Sequence, residues 1–537
     1  MAVTGQNTSV LIVGAGPSGL MMAAQLLRYG IQPIIIDSKQ GPTDQSKALA
    51  VQARSLEIYR QMGVIDKVLP GGKQAAGVSY TLNGRTLIDL SFANIGAGQT
   101  RFPYVFLYQQ SKNERLLLDV LTQNCCPVYW DTQLSKLEQT NSGVLATLIN
   151  GDDTETQVNC QWVIGADGAH SMVRKQLQIS FKGDVYANEF FLADIEVSSD
   201  ALDTEKVSLY LTKNSMAGFF PLPEPKRYRV IGNITEKMNF TGEVKLDDVL
   251  PALKQTASVA FEVTKVHWFT TYRLHHRMAE NFRQGRCFLI GDAAHIHSPV
   301  GGQGMNTGLQ DAYNLGWKLA GVINGQTNEA ILDSYAAERM PVAKTLLNTT
   351  DKLFKMIMSV GWVTGLFRKW VLPRIIQFGW QKPAMREWFF KRLAQLDIAY
   401  RDSKINLNLS TTKNIKAGDR LPYLKVFDEK RQIETDLHEW CTKPGLTLMV
   451  FGKLQEIDLF TLAKWITQNY PGLNFYYLPP SAKNTEIFNT FEITERRKKA
   501  IIVRPDMHIG FMNDVVDIDM MSNYLKNVLG IKAPISV

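Results

Sequence analysis

The sequence predicts an α/β protein: a dinucleotide-binding domain interrupted by a β-sheet insertion, with a further α/β unit at its end. Three observations predict it. An apolar run, Val10-Leu11-Ile12-Val13, passes directly into Gly14-x-Gly16-x-x-Gly19 and then into a helical stretch over 20–29. Two later apolar runs end in acidic turns: Val163-Ile164-Gly165-Ala166 at Asp167-Gly168, and residues 287–290 at Gly291-Asp292. Between those turns, and again beyond residue 401, short apolar and alternating runs recur between turn residues.

The first element is a buried strand over 10–13. Gly14 permits the tight turn after it, Gly16 lets a pyrophosphate approach the backbone, and Gly19 lets the helix pack on the strand. The helix N-terminus then faces the phosphates with free N–H groups and a favourable dipole. A second strand, 33–36, ends at Asp37, about 20 residues past the glycines, where a carboxylate suits a ribose hydroxyl. The same carboxylate repels a 2′-phosphate, so this site is not read as one for NADPH. A ligand-free glycine turn is the alternative, and the strand, helix and terminal acid together tell against it.

The third motif continues into Pro299, Gly301-Gly302-Gln303-Gly304, and a helical pattern from about residue 306 with Leu309, Ala312, Leu315, Leu319 and Ile323 on one face. Pro299 ends the preceding stretch. The glycines form a backbone bare enough to lie against a flat ring. The helix behind them aims its positive end at whatever the loop holds.

A chain of 537 residues suggests two to four domains, and 45% apolar residues suffice for packed cores. The N-terminus has no basic stretch before its first apolar run, and no stretch reaches about 18 apolar residues, so neither a signal peptide nor a membrane span is expected. Five cysteines, odd in number and without metal-ligand spacing, fit a reducing, cytoplasmic setting. The net charge of +8 is dispersed and reads as a solvated surface, with attraction of anionic substrates as the alternative. No nucleic-acid-binding pattern and no internal repeat occurs.

Taken together, the three motifs resemble those of the single-component FAD-dependent aromatic hydroxylases, the family of para-hydroxybenzoate and phenol hydroxylases; the resemblance runs from residue 8 to about residue 345. It implies FAD as cofactor, in a Rossmann-type domain, with NADPH or NADH as a transient co-substrate. It places Gly14, Gly16, Gly19 and Asp37 at the dinucleotide, Asp167 with Ser171 and Arg174 near the pyrophosphate and the reductant's path, and Asp292 at the ribityl chain. Arg54 and Gln110 match further family FAD contacts. Gly301, Gly302, Gly304, Met305 and Asn306 fall at the flavin ring, where the helix end would stabilise the anionic reduced form. The catalytic positions it implies are Tyr272, Pro299 and Gly301.

The segments 190–197, 207–212, 216–221, 228–234 and 266–273 read as strands of a substrate domain. By resemblance this sheet roofs the flavin, with Phe219, Phe220 and Pro221 in the pocket wall and Tyr272 at a substrate-contacting position. A plain strand tyrosine is the alternative for Tyr272. Phe102, Tyr104 and Phe106 read first as sheet core and second as pocket lining. The carboxylate that deprotonates phenol in phenol hydroxylase aligns with Leu49, so that base is missing; His275 and His276 are the nearest candidates to replace it. Residues 353–390 mix aromatic and basic side chains. They read as a helical pair closing the pocket, with an amphipathic membrane-surface segment as the alternative.

The expected division is an FAD-binding domain over 1–188 and 276–345, a β-sheet substrate domain over 189–275, a helical closing segment over 346–400, and a thioredoxin-like domain over 401–537. The last contains no Cys-x-x-Cys; Cys441 stands alone, which excludes dithiol chemistry. Its expected role is scaffolding or an oligomer contact in a homodimer. The activity implied is hydroxylation of a phenolic or polyketide-like aromatic: NAD(P)H reduces the flavin, O2 adds at C4a, and the hydroperoxide passes one oxygen to an electron-rich ring. Inactivation of a tetracycline- or rifamycin-type antibiotic is the close variant. An oxidase or reductase without oxygen insertion, and a non-catalytic carrier of the same fold, are the rivals.

Overall fold

The computed structural model describes residues 3, 7–213, 215–234, 244–297, 301–358, 371–429, 431–494 and 497–532, without the side chains of 187–188, 353–358 and 372. Five parallel strands form the centre of the first sheet, in the spatial order Cys287–Leu289, Glu155–Gly165, Asn7–Val13, Ile34–Ile36 and Val128–Tyr129. A hairpin, Thr132–Gln139 and Val144–Asn150, adds antiparallel to Glu155–Gly165. Val10, Leu11, Ile12, Ile35, Val163 and Ile164 are wholly buried, as parallel strands covered on both faces must be. The helices Pro17–Leu27 and Gly304–Ile323 pack together on this sheet. Leu309, Leu315 and Leu319 of the second are wholly buried, each contributing about 2 kcal/mol of apolar transfer.

The second sheet is antiparallel through most of its length. Its spine is the pair Phe181–Ser198 and Glu262–Ala279, eighteen residues each, followed by Arg227–Ile234, Met216–Pro221 and Lys206–Leu211. Two strands from before the Asp-Gly motif, Gly77–Leu82 and Arg85–Ser91, extend it at one edge, the first parallel to Lys206–Leu211, and the short His295–Ile296 pairs with Glu262–Ala279 at the other. Alternation divides the sheet into two faces. On one, Phe191, Ala193, Phe219, Tyr228 and Val230 pack beneath the helix Leu246–Ala257, forming a core of their own. The other face meets the first domain: Phe220, Leu209 and Val78 pack against its core, and Gln109 Nε2 donates to Asp194 at 3.5 Å.

The C-terminal unit has the sheet order Leu407–Leu409, Ile509–Asn513, Lys499–Val503, Thr447–Phe451, Asn474–Leu478. Thr447–Phe451 and Asn474–Leu478 are parallel and joined by the helix Glu456–Asn469; the other two long strands form an antiparallel hairpin. The closing element begins as a helix over Ile518–Asn523 and widens to a π turn over Tyr524–Val528. This unit shares one continuous apolar core with the first domain.

Charged side chains cross that joint. Arg504 donates to Glu338 at 2.6 and 2.8 Å and to Asp506 at 2.6 and 3.0 Å. Lys318 donates to Glu338 at 2.7 Å and Trp317 to Asp506 at 3.1 Å, both from the long helix Gly304–Ile323. Glu57 holds Arg420, Arg54 and Thr100. Every ion here is almost wholly buried, so the pairing offsets a desolvation cost of several kcal/mol per ion. Arg504, and then Lys318, hold the Glu338 carboxyl well below its usual range against the effect of burial.

Candidate functional site

The parallel sheet brings the separated motifs to one edge. Gly14 follows Asn7–Val13, Asp37 follows Ile34–Ile36, Asp167 follows Glu155–Gly165, and Gly291-Asp292 follow Cys287–Leu289. All four lie at carboxyl ends of adjacent strands, where an open α/β sheet leaves its binding crevice. Backbone bonds tie them together: Gly14 N to Ile36 O at 2.8 Å, Ala166 N to Val13 O at 2.8 Å, and Ile290 N to Gly165 O at 3.0 Å. Gly14 has φ +106°, and a Cβ there would stand 2.3 Å from Ala166 O, so the turn admits no side chain.

Asp37 is almost buried, and its carboxylate accepts from Ala15 N at 2.7 Å and Lys39 N at 2.8 Å, which poises it beside the glycine turn. Asp167 accepts from Ser171 Oγ, Met172 N and Val173 N; burial raises its pKa and these donors oppose the rise. Arg174 donates to Ala293 O and Ala169 O, both at 2.8 Å, and stacks 3.8 Å over Phe181. The Asp-Gly motif therefore braces the Gly-Asp motif. Asp292 is accessible to solvent although both neighbours are buried, so it looks into an internal recess; enclosure raises its pKa, opposed by His295 and Lys47.

The glycine loop is clasped by one side chain. Asn306 Nδ2 donates to Ala50 O and Gly302 O at 2.9 Å, and its Oδ1 accepts from Gln52 N and Ser55 Oγ at 2.8 Å. Gly301 and Gly302 both take left-handed φ, +85° and +62°. Gln303, at the N-cap of the helix, makes no side-chain capping bond, so the N–H groups of Gly304, Met305 and Asn306 have no partner within the helix. Met305 packs against the core and accepts from Asn113 Nδ2 at 3.7 Å. Gln110 begins the helix Gln110–Gln123, accepting from Ala48 N at 3.1 Å and donating to Glu114 at 2.9 Å. Pro299 lies outside the described residues.

Several expectations change. Arg54, expected at the cofactor, turns the other way: its guanidinium pairs with Glu57 at 3.1 Å, donates to Asp506 O at 2.7 Å and lies over Tyr313. Helical geometry gives the reason, since Gln52 and Arg54 at the start of Ala53–Gln61 project to different sides. Gln52, not singled out from the sequence, reaches the loop instead, donating to Gly301 O at 3.0 Å. Asp311 was also missed. It accepts from Gly291 N at 3.1 Å, His295 Nε2 at 2.8 Å and Arg339 Nε at 2.7 Å, locking the Gly-Asp turn to the helix behind the loop. Its place one helical turn beyond Asn306 and Thr307 on a buried face was the available signal.

The expected pocket wall splits by strand alternation. Phe219 lies under the helix Leu246–Ala257 among Tyr210, Tyr228 and Phe261, with ring centroids 5.5–6.2 Å apart, so it is core and not wall. Pro221 follows it on that face by the two-residue period. Phe220 faces the first domain, together with Met216, Ile231, Trp268, Thr270 and Tyr272, all partly exposed. Tyr272 packs against Phe190 at 6.1 Å; its hydroxyl is buried with no hydrogen-bond partner among the described residues, and burial raises its pKa strongly. Arg229, stacked 4.8 Å over Trp268, is held by Asp194. Phe102 and Phe106 are core, and Tyr104 is partly exposed. His275 stands near Arg277 and His170; partial burial first, then the Arg277 charge and the neighbouring imidazole, lower its pKa.

These residues fit FAD. A Cβ on Gly16 would meet nothing within 4 Å, leaving room for phosphates at the helix start. Asp292 opens into the recess, and the uncapped helix ends at the glycine loop. Gly14–Gly19, Asp37, Asp167 and Asp292 would hold the dinucleotide, and the 301–306 loop the ring.

Comparison with known proteins agrees. Residues 7–350 match the family described as FAD binding domain. The chain is 36% identical to 6-methylpretetramide 4-monooxygenase of Streptomyces rimosus over 341 residues, 64% of this chain and 60% of that relative's length. It is 32% identical to pentachlorophenol 4-monooxygenase of Sphingobium chlorophenolicum over 470 residues, 87% of this chain and 84% of the relative. The solved anhydrotetracycline hydroxylase of Streptomyces rimosus superposes with a TM-score of 0.77 at 26% identity, covering 98% of this chain and 99% of that one. Matched over well more than half its length by the family and over most of it by such relatives, the chain belongs to the FAD-dependent aromatic hydroxylases, single-chain flavoprotein monooxygenases.

Proposed function

We propose that this protein hydroxylates a phenolic or polyketide-like aromatic, taking electrons from NAD(P)H and oxygen from O2. The observation that carries the reading is the sheet face shared by Met216, Phe220, Ile231, Trp268 and Tyr272, which is largely apolar and aromatic around the Arg229–Asp194 pair and from which Phe220 packs against the domain that holds the flavin loop. Bound FAD supplies the redox and oxygen-activating chemistry. The chain supplies placement and field. The uncapped N-terminus of Gly304–Ile323 favours negative charge at the loop. Asn306 and Gln52 keep the loop in one geometry. The aromatic wall excludes water, and the Tyr272 hydroxyl, without a partner among the described residues, offers a donor to a substrate oxygen.

Relatives are named for action on 6-methylpretetramide, pentachlorophenol and anhydrotetracycline, and rifampicin monooxygenase of Streptomyces venezuelae is 33% identical over 65% of this chain. Fused-ring phenols and ansamycin or tetracycline antibiotics are therefore the substrates to try first. The Arg277 guanidinium, with His170 and His275 near it beside the Asp-Gly turn, supports an approach of the reductant's phosphates there. His275 is a poor base in that setting. With Leu49 apolar, we infer a substrate that ionises unaided. We further infer that the C-terminal unit is thioredoxin-like, on its strand order, and acts as scaffold through the Arg504 network. Burial pushes the Cys441 thiol up to about 12, which supports a non-redox role. A homodimer and a cytoplasmic setting belong to the same reading; no helix among the described residues is long and apolar enough to cross a membrane.

The test is NAD(P)H oxidation by the FAD-loaded protein, with and without a panel of phenols, polyketides and antibiotics, with H2O2 measured in parallel. Stimulated oxidation with little peroxide and a product heavier by one oxygen is the expected result. Turnover that always ends in peroxide would replace the hydroxylase with an oxidase.

A further inference from the structure

Five of the thirteen exposed large apolar side chains among the described residues fall within one short stretch: Val371, Ile375, Phe378, Met385 and Trp388. Chance scatter over the surface does not give that density. Val371, at the N-cap of the helix Leu372–Trp380, and Ile375 and Phe378 within it recur at spacings of four and three, and Met385 and Trp388 at three on Pro383–Leu393. Each set is therefore one stripe. The stripes adjoin, since a Cβ on Gly379 would lie 3.6 Å from Met385 Cγ.

The inward sides of the same helices are already satisfied. Trp380 packs on Phe92 and Phe389 and donates to Ser91 O at 3.2 Å, Gln377 donates to Leu87 O at 3.0 Å, and Phe390 fills the space over Gly96. The outward stripes are thus not a core left open by misfitting; Ile375 is 58%, Phe378 65% and Trp388 58% exposed.

Charge says what fits them. From 371 to 393 the chain carries Arg374, Lys382, Arg386, Lys391 and Arg392 against Glu387, a balance of +4 in a chain whose total is +8, and +3 once Asp397, which pairs with Arg392 at 3.2 Å, is counted. Lys382 lies over the Phe378 ring at 4.9 Å, so cation and apolar surface share one face. Exposed indole, phenyl and branched aliphatic groups rimmed by lysine and arginine are the composition of a segment lying in a lipid–water interface, not of one crossing it.

We propose that this helical pair docks the protein on the surface of an anionic lipid bilayer. The face also abuts the active-site loop: Gln303 Nε2 donates to Arg392 O at 2.9 Å and Leu393 O at 3.3 Å, at the carboxyl end of the second helix. A docked protein would hold that loop near the lipid in which apolar aromatics concentrate. The docking itself does not depend on the substrate proposed above.

The experiment is co-sedimentation of the FAD-loaded full chain with vesicles of phosphatidylcholine mixed with phosphatidylglycerol, and with phosphatidylcholine alone. Expected is binding to the mixed vesicles that weakens with added salt, with little binding to phosphatidylcholine. Lys382→Gln with Lys391→Gln should weaken it about 25-fold, at about fivefold per cation removed. Ile375→Ser, Phe378→Ser and Trp388→Ser together should weaken it by about tenfold or more while flavin absorbance and NAD(P)H oxidation in detergent-free buffer are retained. Equal binding by wild type and the serine variant would overturn the proposal. Absence of binding to either vesicle would also overturn it, with two outcomes by size-exclusion chromatography: a dimer that the serine variant converts to monomer assigns the face to a second copy, and an unchanged monomer assigns it to cover from within the chain.

Discussion

Gly16 and Gly19 stand three residues apart in one motif, and the structure gives their replacement opposite consequences. An alanine Cβ at position 19 would lie 1.9 Å from Gly14 O, 3.0 Å from Gly14 C and 3.2 Å from Ala166 Cβ. Ordinary contact begins near 3.4 Å, and the nearest obstacles are backbone of the turn itself. The helix Pro17–Leu27 would have to retreat by over an ångström from a sheet it packs against with Leu20, Met21 and Ala24 wholly buried. Overpacking of that kind costs about 3 kcal/mol, a fall in Tm of roughly 6–12 °C. At position 16 the added methyl meets no atom within 4 Å, and the poorer N-cap that alanine makes costs about 1 kcal/mol. The Gly16→Ala apoprotein should therefore melt within about 2–4 °C of the wild type and above Gly19→Ala. Its methyl would stand where the pyrophosphate approaches the helix start, so FAD affinity should fall by about 10- to 100-fold, or about 1.4–2.7 kcal/mol. Thermal unfolding of both apoproteins, paired with FAD titration followed by flavin fluorescence, separates the two effects. A Gly16→Ala protein that binds FAD as tightly as wild type, or that melts as low as Gly19→Ala, would refute the placement of the phosphates.

Four further outcomes are expected. Asn306→Ala removes four hydrogen bonds that clasp the glycine loop; a loss of about 2–4 kcal/mol should appear as weaker FAD retention and lower kcat in flavin titration and turnover assays. Arg504→Met leaves Glu338 and Asp506 buried without their main partner and should cost about 3–5 kcal/mol; in chemical denaturation, Arg504→Met with Glu338→Gln should cost less than the two singles added. Phe219→Ala should lower stability by about 3–5 kcal/mol with KM unchanged, whereas Phe220→Ala should move KM for the aromatic substrate, because only the second faces the flavin domain. Burial, opposed by Glu57, holds His438 below its ordinary 6.5, so the folded imidazole stays neutral while the unfolded one takes a proton. Its contribution is fully present above pH 6.5 and falls by up to about 1.4 kcal/mol per pH unit below it, until the folded form also protonates; His438→Asn should flatten that part of a stability–pH curve.

Much of this molecule was legible in its residues because the signals are local. Val10–Val13 and Gly14, Gly16 and Gly19 declare a strand, a turn and a helix within a span that a chain reads through its own backbone. The strand 216–221 fell where alternation and flanking turns put it. The motifs Asp167-Gly168 and Gly291-Asp292 were each recognisable, and so was the loop of 301–304. What those stretches could not say is which side chains of an element turn inward and toward what. Phe219 and Phe220 look equivalent in sequence, and a two-residue period sends one under the helix Leu246–Ala257 and the other to the flavin domain. Arg54 and Gln52 exchange roles for the same kind of reason, the direction of projection from the start of a helix. Asp311 and Gln52 act only through partners far along the chain, Gly291 and Gly301, and no local pattern announces them. The joint made by Arg504, Glu338, Lys318 and Asp506 needed three distant segments to meet, as did the exposed stripe of Ile375, Phe378 and Trp388, which is outward only because Trp380 and Phe390 have turned in. Sequence alone determined the elements, the cofactor class and the order of the motifs, since turn geometry, periodicity and phosphate recognition are properties of a few adjacent residues. Tertiary structure decided which groups are paired, buried or free, because pairing and burial depend on what the rest of the chain places against them.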